Sequence, residues 1–118
     1  MKSYAKEVQN LLSGALTVNV YADVVPEEVP LPAIAWYNIG YTNGRVVNGV
    51  KTSDQAVFRV MVVVESLSQL DDILAELELL DNTSNTDFNM INITGNNLEA
   101  KAPESPVRRY MADLSLTV

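Results

Sequence analysis

Between Gln55 and Asp81 the chain reads QAVFRVMVVVESLSQLDDILAELELLD, and no other stretch limits the possible fold so strongly. Residues 56–65 hold the longest apolar run in the sequence and are rich in β-branched side chains. One parity carries Phe58, Val60, Val62 and Val64; the other carries Val57, Met61 and Val63 beside Arg59 and Glu65. A strand apolar on both faces belongs inside a sheet, with both faces covered. Ser66 then offers an N-cap, and Gln69 three residues on completes a capping box. Leu67, Leu70, Ile73, Leu74, Leu77 and Leu80 follow at helical spacing, with Asp71, Asp72, Glu76 and Glu78 off that stripe. A two-faced strand running straight into a one-faced helix predicts an α+β domain. It also poses a question: what covers the second face of the strand?

The remaining elements follow from the same periodicities. Residues 3–14 predict a short amphipathic helix with the stripe Tyr4, Val8, Leu11 and Leu12, Ser3 as cap and Gly14 as its end. Residues 16–21 alternate as a first strand. The segment ADVVPEEVPLP at 22–32 carries three prolines and predicts an extended, surface-running connection, since each proline removes a ladder donor. AIAWYNIGYT at 33–42 predicts a second strand, with Ile34, Trp36 and Asn38 facing one way and Ala33, Ala35, Tyr37, Ile39 and Tyr41 the other. NGRVVNGVKTSD at 43–54 holds two Asn-Gly dipeptides and predicts a long hairpin connection with a short β-excursion through Val46 and Val47. After the second helix come a polar break, a strand at 88–94, a Gly95-Asn96-Asn97 turn, a short strand at 98–102 and a final half-buried strand at 107–118. The predicted fold is one α+β domain in the order α-β-β-β-α-β-β-β. Its sheet is mostly antiparallel, with both helices packed on one face.

Composition narrows the chemistry. A chain of 118 residues holds one core, and the absence of cysteine and histidine removes thiolate ligands, the usual general base and the usual metal ligand. Glu65, Asp71 and Asp72 read as solvated carboxylates, because adjacent helical positions point apart. No phosphate-binding loop or nucleophile elbow stands in the sequence. The expectation is therefore a protein that is not an enzyme, with no cofactor, no metal and no catalytic residue. A net charge of −7 argues against nucleic-acid binding through phosphate neutralisation. The N-terminal segment lacks the apolar centre of an export signal, so no membrane association is expected. The Asn-x-Ser/Thr matches at Asn82 and Asn92 read as chance.

Two surfaces draw attention. The hairpin connection, with Asn43, Gly44, Arg45, Asn48, Gly49 and Lys51, is the one locally basic loop in an acidic chain. The sheet also carries more apolar surface than two short helices cover, and Trp36, Tyr37, Tyr41 and Met61 are candidates for the excess. The basic pair Arg108-Arg109 at the start of the last strand joins them as a candidate subunit contact, or else forms a structural ion pair. Self-association and cover by the proline-rich and 43–54 loops are the two ways of burying the spare face.

The segment VNVYADVVPEEVPLPAIAWYNI, with its V-Y-x(n)-P-x-P-A-I passage from Val20 to Ile34, precedes a long hairpin, the strand FRVMVVVES, the helix LSQLDDILAELELL and a closing RRYMADLSLTV. This series resembles the tail terminator, or tail completion, proteins of long-tailed bacteriophages. The resemblance covers nearly the whole chain and is carried by order and spacing. It implies a small α+β domain that assembles into a hexameric ring through head-to-tail contacts. Such a ring caps the tail tube, halts its polymerisation and presents the head-joining surface. The implied partners are further copies of the chain, the tube protein, a head-completion or connector protein, and the tape-measure protein. DNA would pass through the acidic channel without specific binding. The implied location is the head-proximal end of the virion tail, after assembly in the host cytoplasm. The 43–54 hairpin would face the tube or lumen, and Met61 would lie near the seam. Another phage connector or minor tail component, or an acidic cellular binding module, remains the alternative.

Overall fold

The computed structural model describes residues 3–26, 28–42, 46–47, 50–51, 54–98 and 107–118. The elements run α1 (Ala5–Ala15), β1 (Asn19–Ala22), β2 (Ala33–Thr42), β3 (Val46–Val47), β4 (Val50–Lys51), β5 (Gln55–Val64), α2 (Leu67–Glu78), β6 (Met90–Leu98) and β7 (Arg108–Thr117). Five strands form one sheet in the order β1-β2-β5-β7-β6, while β3 and β4 pair with each other as a separate ribbon. The expected α+β class holds. The strand of the 55–81 unit is the middle strand of the sheet.

Both helices pack on one face. Val8, Leu12 and Leu16 from the α1 region and Leu70, Ile73 and Leu77 from α2 join Ile34, Trp36, Phe58, Val60, Val62, Leu114 and Leu116 in a single core. Burial along β5 alternates, with Phe58 and Val60 each 1% exposed and their neighbours Val57 and Arg59 half-buried. The Trp36 and Phe58 rings meet edge to face, with centroids 5.8 Å apart at 73°. The Trp36 indole N–H donates to Gln9 Oε1 at 2.6 Å, which satisfies the only polar atom of that ring.

The ends of α2 follow the sequence closely. Ser66 Oγ accepts the Gln69 N–H at 3.3 Å, and Gln69 Oε1 in turn accepts the Glu65 N–H at 2.8 Å. The reciprocal pair of a capping box is thus present, displaced by one residue on the return bond. Leu67 is 49% exposed and lies off the core, because the first residue of the helix stands ahead of the sheet contact. On α1, Ser3 Oγ accepts a long 3.4 Å bond from Ala5 N–H, but the cap position belongs to Tyr4, in a left-handed conformation. Gly14 lies within the helix, which ends at an extended Leu16.

A side-chain clamp joins α2 to the segment that follows α1. Glu76 on α2 accepts both the Thr17 N–H at 3.1 Å and the Thr17 hydroxyl at 2.7 Å. A carboxylate taking two donors is stronger than a neutral bond, though its exposed setting screens it. Glu76→Ala is expected to lower unfolding free energy by about 1 kcal/mol, measured by urea denaturation with an unchanged m-value.

Three features differ from the sequence reading. First, β1 pairs with β2 in parallel (Val20↔Ile34, Tyr21↔Ala35), so the proline-rich segment, expected only as an extended connection, is a crossover. Second, the Gly95-Asn96-Asn97 turn is a bulge: β6 continues to Leu98 against β7, with the register shifting between Gly95 and Asn97. The Tyr110 hydroxyl would stand 2.5 Å from a Cβ at Gly95, so any side chain there requires the tip of Tyr110 to move. The predicted strand at 98–102 otherwise lies outside the described residues. Third, a bulge between Asn38 and Gly40 reverses the facing of the rest of β2. Tyr41 pairs with Ala56 and packs against the core on the helix face, opposite to the side expected from strict alternation.

Candidate functional site

The open face of the sheet is the surface left for contact, and its two ends differ. At one end the crossover at 23–32 folds beneath the sheet. Val24, Val29 and Leu31 stand over Met61, Val63 and Arg109, enclosing a groove of about 310 Å³. Ala33 and Ala35 are fully buried, and Val63 is 7% exposed. The crossover therefore covers part of the face; the 43–54 connection, the other part of that expected cover, lies largely outside the described residues. Backbone bonds fix its start, with Asp23 N–H donating to the Trp36 carbonyl at 2.8 Å and Val24 N–H to the Ala22 carbonyl at 2.9 Å. Asp23 and Glu28 take positive φ values of 70° and 65° to turn the chain, a conformation that few residue types accept readily.

The other end of this face is polar. Arg59 Nε donates to Asp113 Oδ1 at 3.0 Å between facing residues of β5 and β7. The hydrogen bond to the Asp113 carboxylate pushes the Arg59 pKa up. Gln55 Nε2 donates to Ser115 Oγ at 2.7 Å on the same strand pair. With side chains about 30% exposed, the Arg59–Asp113 pair sits at the water boundary, where solvent screens it. The second face of β5 is thus half apolar and half a self-satisfied polar strip.

The predicted contact residues are dispersed. Met61 and Tyr37 are half-buried on the open face, where the sequence placed them. Arg109 is exposed at the groove, and Arg108 is half-buried one position earlier. Neither makes an ion pair among the described residues. The ion pair of this region falls instead on Arg59 and Asp113. Trp36 is a correction: it is 7% exposed beneath α1 and offers no free surface, because its parity is that of the helix face. Tyr41 is another, turned to the helix face by the bulge. Of the hairpin candidates, Asn43, Gly44, Arg45, Asn48 and Gly49 lie outside the described residues, and Lys51 closes the β3–β4 ribbon opposite Val46.

Asp54, just ahead of β5, ties β2 to the end of the chain. Val118 N–H donates to the Asp54 carbonyl at 2.9 Å, and the Tyr41 hydroxyl donates to Asp54 Oδ2 at 3.1 Å. Burial first, and then the bond to Asp54, raise the Tyr41 pKa above its ordinary 10.0. Raising the folded pKa of a phenol favours its neutral form, so this stabilisation is complete below pH 10 and disappears as pH rises through the folded value. Wild type is therefore expected to lose more thermal stability than Tyr41→Phe above pH 10, which melting curves across alkaline pH would measure.

Sequence reasoning missed the polar strip. Arg59 and Asp113 each sit on the outward parity of their strands, but only the adjacency of β5 and β7 makes them partners. Among the described residues, no group of three or more His, Cys, Asp or Glu stands close enough to hold a metal, and no helix is long and apolar enough to cross a membrane. The chain matches no protein-family model and no curated protein.

Proposed function

We propose that this protein is a structural subunit of a phage tail, of the tail-terminator kind. It forms a ring that caps the tail tube, stops tube polymerisation and provides the surface that joins the head. The observation that carries the reading is the order and spacing of segments from the Val20–Ile34 passage through FRVMVVVES and LSQLDDILAELELL to the closing RRYMADLSLTV. The fold is compatible with it. A central strand with helices on one side only leaves Tyr37, Val57, Met61 and Met111 half-exposed on the other, a surface suited to lateral packing between copies.

The activity needs no catalytic group. Its work is steric: a ring seated on the tube end removes the surface to which the next tube subunit would add. The test is to add the purified protein to polymerising tube protein and measure tube lengths by electron microscopy. Arrest of growth with a ring at one end supports the proposal. Tubes that incorporate the protein along their length would make it a tube component, and indifference to tubes would place it outside the tail.

A further inference from the structure

We propose that the groove beneath the crossover receives the C-terminal end of α2 from a second copy, with Leu79 inserted and Arg109 meeting its acidic tip. This contact rests on the reading of the protein as a self-assembling subunit, and it names the two surfaces of the seam.

The inserted side chain is conspicuous in its own chain. Leu79 is 78% exposed, more than any other large hydrophobic among the described residues. It directly follows Glu78, and the last turn of α2 carries no basic residue. The negative end of the helix dipole and the Glu78 carboxylate therefore lack a local counter-charge. The groove offers the complement. Its walls are Val24, Val29 and Leu31 on one side and Met61 and Val63 on the other, and its volume of about 310 Å³ admits a branched side chain. Arg109 lines it, exposed and without an ion pair among the described residues. Glu28 lines it too, without an ion pair to Arg109, so the incoming acidic tip must sit on the Arg109 side of the groove, away from that carboxylate. With 15 acidic against 8 basic residues in the chain, an acidic element of a second copy is a natural match for that cation.

Entry through the sheet edges is obstructed at defined points. On the outer strand β1 the Val20 carbonyl accepts a bond from Gln9 Nε2 at 3.1 Å. On β6 the Ile93 N–H is taken by Asp81 Oδ1 at 2.8 Å, and Ile91 bridges to Thr83. Edges occupied in this way resist strand addition and leave the faces for contact. The helix end and the groove lie on opposite sides of the sheet, so the contact joins unlike surfaces. It therefore propagates head to tail into a ring or a filament.

The test uses the full chain in sedimentation velocity and negative-stain microscopy. Leu79→Asp and Arg109→Glu alter exposed side chains, so both are expected to keep the wild-type melting temperature. Each is expected to weaken association by about thirtyfold or more. An equimolar mixture is expected to give one-to-one dimers and nothing larger, because one variant keeps the groove and the other keeps the helix tip. Rings that persist in both variants would overturn this seam and leave the ring reading standing. Wild-type filaments that dissolve in either variant would support the contact and overturn the ring. Two monomeric variants that give no dimer on mixing, or wild type monomeric throughout, would overturn the contact.

Discussion

Phe58→Ala is expected to cost about 3–5 kcal/mol of unfolding free energy and to lower the melting temperature by about 10–20 °C. Phe58 is 1% exposed on the middle strand, and its ring meets Trp36 edge to face. Truncation removes the transfer energy of the ring and leaves a cavity that β2, β5 and β7 cannot close, because their register is fixed by ladders on both sides of β5. Val57→Ala, one residue away on the open face, is expected to cost less than about 1 kcal/mol, since its side chain is only half-buried. Chemical denaturation of the two variants compares the faces directly. Equal losses would mean that the open face is as fully packed as the helix face.

Met61→Asp is the second large effect, and it acts on assembly more than on folding. Met61 is half-buried under the crossover, opposite Met111 and diagonal to Arg109 across β5 and β7. A carboxylate there faces apolar groove walls, yet Arg109 lies near enough to offset part of the burial cost, so about 1–2 kcal/mol of stability is expected to be lost. The groove itself loses its apolar floor and its free cation together, and association is expected to fall below detection at micromolar concentration. Circular dichroism and sedimentation on one sample distinguish the two effects. A folded variant that still assembles would remove Met61 from the seam.

Much of the fold was legible because the strongest local signals agree with the tertiary ones. The alternation around Phe58 and Val60, the helical stripe through Leu70, Ile73 and Leu77, and the Ser66/Gln69 pair all act over a few residues and all appear in the structure. The three prolines at 26–32 correctly marked a segment outside the ladder. What escaped depends on partners distant in sequence. The bulge at Ile39 has only Gly40 inside the strand as a local trace, yet it turns Tyr41 from the open face to the core. Gly95-Asn96-Asn97 has the composition of a turn, but pairing with β7 draws it into a bulged strand. The crossover's placement beneath Met61 and Val63 follows from the parallel β1–β2 pairing, which alternation cannot reveal. The open face was likewise half legible: Met61 and Tyr37 fell where expected, whereas the Arg59–Asp113 pair required knowing that β7 lies beside β5.

In the proposed assembly this chain closes into a ring through its sheet face and helix tip. The most direct measurement is negative-stain electron microscopy of the purified wild-type protein with image classification, supported by native mass spectrometry. Closed rings of six copies with a central channel are expected. A single species at the 13.0 kDa monomer mass at every concentration would contradict that assembly.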